Sequence, residues 1–538
     1  MITDSRKTPS PINRLLLKGG SGNYKLTIFT LLIVGVLIRT VFINIYPNGL
    51  NQDEASAGYE AFSILNYGID RNGKSFPVHF IAWGSGQNAL YSYLSIPFIY
   101  FFGLNELSIR LPMALLSCAS LFLYYSIVKE TGNRKFTLIS FLLFTIAPWH
   151  IMKSRWSLES NIFPDIVLIC LFFLLKLVKQ KKIIYYYISV FFMALSMYSY
   201  GTSYLFIPLF FILTSYYSLK LKIISYRQII LAFILITILS FPIIAFVFIN
   251  TYNLPEINIL GITVPKLKVA RHTRVTSVFR HNFIVNSIFN SIKAVYTLVT
   301  QSDKEPGNSI RFFGIYYVFS LPFTIVGFFN TTKQKLNKLN SVDALFMLWL
   351  IPASLMLPII LPNINRINIV IIPLIYFTSL GLHQLIEKFI IIRKYYLSVY
   401  LISFISFTIA YFSIYQKSLR VPFSYSLKEA IIYADNLKSE KIFITNKTQS
   451  PYIFTLFYLQ RNPNDYLRTV KFKNEGDEFE NVHSFEKFHF YIPNGYLDEK
   501  NAYIIKNEEL ETLNQSRLII KQFDLYSVIT VKHTERLH

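Results

Sequence analysis

Eleven apolar runs of about helix length divide the chain, near 26–46, 107–128, 136–150, 162–178, 183–199, 202–219, 229–250, 311–329, 342–361, 367–386 and 396–415. Each approaches the roughly twenty residues needed to cross the hydrocarbon layer. A water-soluble fold has no interior for so many of them, so the solvent of this chain is the bilayer. Composition agrees: of 538 residues 53% are hydrophobic and 17% aromatic, with mean hydropathy +0.40, too apolar to cover a core with polar surface. The expected fold is an all-α polytopic membrane protein of about eleven transmembrane helices.

The positive-inside bias tests that count. With the N-terminus cytoplasmic, alternate turns carry Lys129, Arg134 and Lys135; Lys176, Lys179, Lys181 and Lys182; Lys220, Lys222 and Arg227; Lys333, Lys335 and Lys338; and Lys388, Arg393 and Lys394. Arg6, Lys7, Arg14, Lys18 and Lys25 precede the first run, which is too long for a signal-peptide core and reads as an uncleaved first span. An odd number of crossings places the C-terminus outside. The expected location is therefore the cell membrane, multi-pass. The formal net charge of +23 comes from these short basic tracts, which argues against nucleic acid as a partner. Cys118 and Cys170 both lie in apolar runs and suggest neither a disulfide framework nor a thiolate zinc site.

Two kinds of region follow. Residues 1–415 form a transmembrane domain with long outside loops at 47–106 and 251–310, and residues 416–538 form a small soluble extracytoplasmic α/β domain. In the first loop, Ala57 to Leu65 and Leu90 to Phe102 have helical apolar spacing and suit amphipathic helices lying in the interface. In the tail, 441–445 and 489–492 read as strands, and Leu427 to Leu437 and Tyr452 to Leu459 as helices. Function is expected in these outside segments.

Chemistry-bearing residues gather there. Asp53 and Glu54 open the first loop, either as a helix-capping acidic pair or as catalytic carboxylates. His150, Arg155 and Glu159 share one short polar turn; Arg155 and Glu159, four apart, pair or else face a ligand. Asn365 and Arg366 occupy another short outside turn, where an arginine runs against the positive-inside bias and either snorkels to lipid headgroup phosphates or clamps an oxyanion with its forked donors. Lys266, Lys268, Arg271, Arg274 and Arg280 add a basic cluster in the third long segment, and Arg39 lies near the outer end of the first run. Basic patches beside an acidic pair suggest an anionic substrate and a general base. The sequence has neither phosphate-loop signature, so a soluble nucleotide donor is not expected.

Asp53-Glu54 after the first run, Gly58-Tyr-Glu-Ala, Gly103-Leu-Asn-Glu-Leu-Ser-Ile-Arg110-Leu-Pro112, Ala147-Pro-Trp-His150 followed by Arg155 and Glu159, and Asn365-Arg366 with Ile372-Pro373 occur in an order that resembles the GT-C glycosyltransferases using polyprenyl-phosphate sugars. The resemblance is to bacterial relatives of the protein O-mannosyltransferases and aminoarabinose transferases, of the glycosyltransferase family 39 type. It implies inverting transfer of a sugar from a lipid phosphate to an acceptor hydroxyl on a protein, lipid or surface polymer. Asp53 matches the base, with Glu54 or Glu159 beside the anomeric centre. His150, Arg155, Glu159, Arg274, Asn365 and Arg366 are the candidates for holding sugar or carrier phosphate. Such enzymes are metal-optional, and Asp53 and Glu159 are the candidate ligands for a divalent cation. Ser56 stands where the aminoarabinose subgroup tends to have arginine, and the Gln87-Asn88 region lacks its Lys-Pro-Pro stretch, so lipid A specificity is not carried over. A transporter or lipid-linked-sugar flippase is the alternative, although its charges belong nearer the midplane; a scaffold or polymer ligase is a third.

Overall fold

The computed structural model describes residues 21–269, 282–334, 339–477, 479–493, 497–511 and 513–532. The chain enters through α1 (Ser21–Thr40). The first long loop follows, with α2 (Gln52–Tyr67), the two-residue strands β1 (His79–Phe80) and β2 (Gln87–Asn88), and α3 (Leu90–Phe102). Next come α4 (Glu106–Val128), α5 (Arg134–Ile146), the short α6 (Pro148–Lys153), α7 (Glu159–Gln180), α8 (Ile184–Ser196), α9 (Ser203–Lys220) and α10 (Tyr226–Thr251). The third long segment holds the hairpin β3 (Ile257–Ile259) and β4 (Ile262–Val264), then α11 (Phe283–Thr300). The bundle closes with α12 (Leu321–Thr332), α13 (Ser341–Leu355), the single turn α14 (Ile364–Ile367), α15 (Ile371–Lys388) and α16 (Ile390–Phe412).

Each of the eleven apolar runs overlaps one of these helices, and among the described residues seven helices are long and apolar enough to cross a membrane. One of the seven is α11, inside a segment expected to be an outside loop. Its periodicity was hidden because Asn286, Asn290 and Lys293 interrupt the apolar residues; Ile284, Val285 and Ile292 all project outward, as on a helix that presents an apolar face to lipid. The tightest helix pair is α12 with α15. A Cβ on Gly327 would lie 1.9 Å from the Phe377 carbonyl oxygen, and one on Gly381 the same distance from that of Phe323, so only glycine lets the two backbones meet.

The tail holds α17 (Leu427–Asn436), β5 (Ile442–Ile444), α18 (Pro451–Leu459) and α19 (Pro463–Thr469), then β6 (Lys471–Phe472), β7 (Val482–Phe485), β8 (Phe488–His489), β9 (Ala502–Lys506), β10 (Leu518–Gln522) and β11 (Tyr526–Val531). These strands make one sheet in the order β10-β11-β9-β5-β8-β7-β6, with β5 parallel to both its neighbours. The tail is not a self-contained appendage, however. Leu50, Tyr59, Phe80 and Trp83 of the first loop share one hydrophobic core with Ile431, Ile442, Ile453, Phe457 and Phe485 of the tail. At roughly 1.5–3 kcal/mol for each large apolar side chain removed from water, the two stand or fall together. Consequently α2, expected to lie in the interface, is covered by α18. Gly58 permits the contact, since a Cβ there would come within 2.6 Å of the Phe457 ring. The amphipathic reading suits α3 better, whose Tyr100, Phe101 and Phe102 are exposed.

The third segment joins the same assembly. Val78 donates to the Thr263 carbonyl (3.0 Å) and Thr263 back to that of Ser75 (3.1 Å), while Lys74 pairs with Glu256 (2.7 Å) and Lys268 with Glu480 (2.7 Å). All three long segments therefore meet on one side of the helix bundle.

Candidate active site

The site is assembled around the start of α2. Asn51 is the N-cap: its side chain accepts from the Asp53 amide (3.0 Å), and the Glu54 carboxylate accepts from the Asn51 amide (3.1 Å). This capping box fixes two adjacent carboxylates whose directions differ by about 100°, the helical step. Their fates diverge. Glu54 is fully buried, with the Arg110 Nε 3.0 Å from Oε1 and Nη2 3.1 Å from Oε2, and the Ser157 amide also donating to Oε1 (3.0 Å). Arg110 spends its remaining donors on the carbonyls of Ile43, Pro47 and Gly49. Glu54 is thus fully engaged in holding the outer end of α1 against α2 and α4, which removes it from the set of reactive groups. Asp53 remains half-buried.

Around Asp53 the backbone is held by β2. Gln87 Nε2 donates to the Asp53 carbonyl (3.3 Å), and Ser56 donates to Gln87 Oε1 (2.7 Å). The next residue, Asn88, donates its amide to the Glu159 carboxylate and its side-chain nitrogen to the Tyr204 hydroxyl (3.0 Å). Glu159 opens α7 and is half-buried. Asn368, just after α14, donates to the Ser160 carbonyl (2.8 Å), bringing the Asn365–Arg366 turn to the same end of α7. Arg366 is half-buried and uses Nη1 on the Leu361 carbonyl (3.1 Å), and the Oδ1 of Asn365 is buried without a hydrogen-bond partner among the described residues. Asp53 and Glu159 are thus held by the adjacent residues Gln87 and Asn88, and the turn carrying Asn365 and Arg366 is tied through Asn368 to Ser160, next to Glu159. Arg274 lies outside the described residues.

Two other expected ligands are occupied elsewhere. Arg155 donates to the carbonyls of Ile38 (3.0 Å), Val41 (2.7 Å) and Tyr46 (3.1 Å), satisfying the free carbonyls beyond the end of α1. It neither pairs with Glu159 nor faces a ligand, because residues 154–158 are non-helical and turn the two apart. His150 is sealed inside the bundle. Its Nδ1 accepts from Arg39 Nε (3.1 Å) and Nη2 (2.9 Å). Since arginine cannot accept, the imidazole proton sits on Nε2, which faces Asp165 at 3.5 Å. Lys153 completes the group at 2.5 Å from Asp165. Arg39, Lys153 and Asp165 are all buried, so this group clamps α1, α6 and the start of α7 together rather than meeting carrier phosphate.

A third buried group underlies α2, and the sequence reading did not single it out. Arg71 Nη1 donates to Ser56 Oγ (2.8 Å), its Nε lies 3.3 Å from Glu60, and its guanidinium stacks 4.7 Å above Trp83. The readable signal was Glu60 itself, a carboxylate within the apolar spacing of 57–65. Beside it, burial pushes the Asp70 carboxyl up to about 8, and the Glu60 carboxylate adds to the rise. The unfolded chain releases this proton near the ordinary value of about 4. Between roughly pH 4 and 8 the native state holds a proton that the unfolded state has lost, so this group makes stability fall as pH rises. Asp70→Asn keeps the acceptor for the Asn72 and Lys74 amides. It is expected to flatten that fall and to raise the melting temperature at pH 8 more than at pH 5, measured by thermal unfolding in detergent.

Residues 89–241, less than a third of the chain, match the family model described as dolichyl-phosphate-mannose-protein mannosyltransferase. No curated protein matches the chain by sequence. Among solved structures, ArnT from Cupriavidus metallidurans bound to undecaprenyl phosphate matches 95% of this chain and 98% of its own, at 12% identity and a TM-score of 0.52. The Archaeoglobus fulgidus oligosaccharyltransferase tethered with an acceptor peptide containing the NVT sequon matches 81% of this chain at 10% identity and a TM-score of 0.51; the chain spans 63% of its length. With a mannosyltransferase family model matching from α3 into α10, and with the path of ArnT followed along nearly its whole length, the chain has the fold of the GT-C glycosyltransferases.

Proposed function

We propose that this chain moves a sugar from a polyprenyl-phosphate carrier to an acceptor hydroxyl at the outer face of the membrane, by inverting single displacement. The observation that carries the reading is the divergence of Asp53 and Glu54: of two adjacent carboxylates, one is consumed by Arg110 and the other is held at the site by a fixed backbone. An alcohol is too weak an acid to attack unaided, so Asp53 takes its proton as the new glycosidic bond forms. The departing phosphate needs positive charge rather than a proton, and Arg366 supplies it, with Asn365 beside it. Glu159, facing the same site, steadies the positive charge that develops at the anomeric carbon. Among the described residues no three His, Cys, Asp or Glu side chains gather as metal ligands, and Asp53 and Glu159 alone make a thin donor set, so no step is routed through a cation.

The same reading sets the topology. The N-terminus is cytoplasmic, the helices of the eleven apolar runs cross while α11 lies along the outer interface, and the three long segments that meet on one side lie outside, together with the C-terminus. The acceptor is a protein, lipid or surface polymer. A transporter would need its charges accessible at the midplane; here the buried group around Asp165 is paired and enclosed.

The test is transfer of radiolabelled sugar from a panel of polyprenyl-phosphate sugars by the purified protein in liposomes, with membrane extract as acceptor. Label must move to acceptor; failure with every donor would return the chain to transport or scaffolding. Arg366→Ala is expected to weaken binding of undecaprenyl phosphate about tenfold, the value of one charge-assisted hydrogen-bonding group. Unchanged affinity in a titration of carrier into detergent-solubilised protein would remove Arg366 from this role.

A further inference from the structure

A cavity of about 620 Å³ lies where the first loop, the third segment and the tail converge, away from the Asp53 site. Ion pairs brace it on two sides: Lys74 with Glu256 joins the first loop to the third segment, and Lys268 with Glu480 joins the third segment to the tail. Two kinds of unspent group line its wall. Lys266 has no carboxylate within ion-pair distance among the described residues. Nη2 of Arg71 and Nδ2 of Asn72 are buried donors without a hydrogen-bond partner among the described residues, and Arg71 as a whole is only 1% exposed. Burying a donor unmade is costly, so this wall suits acceptor atoms from a ligand. The remaining lining is mixed: Asn253, Tyr466 and Phe472 supply an amide and two rings, and Ile81, Leu267, Leu467 and Val470 are aliphatic. Cations and amides beside rings and aliphatic side chains, around a volume several times that of a phosphate, suit an oxyanion carried on a saccharide, whose C–H faces pack on apolar surface, rather than a lone ion.

We propose that this cavity binds an anionic saccharide segment of the acceptor, with its phosphate or carboxylate on Lys266 and Arg71. The inference rests on the transferase reading for the word acceptor, but the binding site itself does not depend on it. Arg71 also connects the cavity to the chemistry. It donates to Ser56, Ser56 to Gln87, and Gln87 to the Asp53 carbonyl, so an anion that fills the open valence of Arg71 steadies the helix start carrying the base.

The experiment is a calorimetric titration of the full chain in nanodiscs with three probes of similar size, trigalacturonate, phosphorylated maltotriose and maltotriose, and with inorganic phosphate. At least one anionic trimer is expected to bind about tenfold more tightly than maltotriose and inorganic phosphate, and Lys266→Glu to weaken it about tenfold or more. Lys266→Ala, with an unchanged melting temperature, guards against misfolding and is expected to weaken it less. Asp53→Asn is expected to bind like the wild type. Which trimer binds identifies phosphate or carboxylate as the recognised group. Equal binding of maltotriose, equal binding of inorganic phosphate, affinity insensitive to both Lys266 variants, or no binding of either anionic trimer would each overturn the proposal. Lysine-dependent binding without transfer from any donor would leave the cavity standing and defeat the transferase reading alone.

Discussion

Asp53→Asn is expected to lower the transfer rate by about 10²–10⁴-fold, the usual contribution of a positioned general base, with little change in thermal unfolding. The substitution keeps the size of the side chain and leaves the surrounding frame intact, because that frame holds the backbone: the Asp53 amide donates to Asn51, and its carbonyl accepts from Gln87. The carboxylate becomes a neutral amide that cannot take the acceptor proton. The loss should fall on kcat more than on KM for the donor, since the carrier phosphate is assigned to Arg366. Retained transfer by purified Asp53→Asn would eliminate the proposed base.

Glu54→Ala, one residue along, is expected to do the opposite. It leaves the Arg110 guanidinium buried with its charge uncompensated, and removing one partner of a buried pair costs about 3–5 kcal/mol. The protein should melt at a much lower temperature, and lost activity should follow from lost fold. Arg110→Met should do comparable damage from the other side, by stranding the Glu54 carboxylate and freeing the carbonyls of Ile43, Pro47 and Gly49. Melting curves in detergent decide the matter. If Glu54→Ala folds normally and only catalysis fails, Glu54 belongs in the chemistry and the division of labour drawn here is wrong.

The contrast shows where the sequence was readable. Membrane helices announce themselves by composition alone, and each apolar run overlaps a helix. The α11 helix escaped because Asn286, Asn290 and Lys293 break its apolar run, although over its whole length it is apolar enough to span. Strands β9, β10 and β11 escaped for a different reason: they are defined by pairing with one another and with β5, and non-local partners leave no local trace. At the site, adjacency misled. Asp53 and Glu54 are neighbours in sequence, yet a helical step sends one to the site and the other to Arg110. Arg155 and Glu159 have the spacing of an ion pair, but that spacing works only on a continuous helix, and here α7 begins at Glu159. His150 pairs with Asp165 from the next helix, a carboxylate that the apolar run around it made easy to overlook.

The common core of the first loop and the tail has a consequence for biogenesis. Tyr59 donates to the Arg461 carbonyl across 402 residues of chain, and Gly58 rests on Phe457 across nearly as many. During synthesis the first loop emerges early, with an apolar face and a half-satisfied arginine, and waits for all the later helices to be inserted before its cover arrives. Contacts of such sequence separation form late and slowly. The apolar side of α2 is therefore covered only after the tail has docked, and a nascent chain stopped before residue 451 holds the Asp53 backbone through Asn51 and Gln87 but leaves that helix open to water. Docking of α18 is the step that closes the first loop.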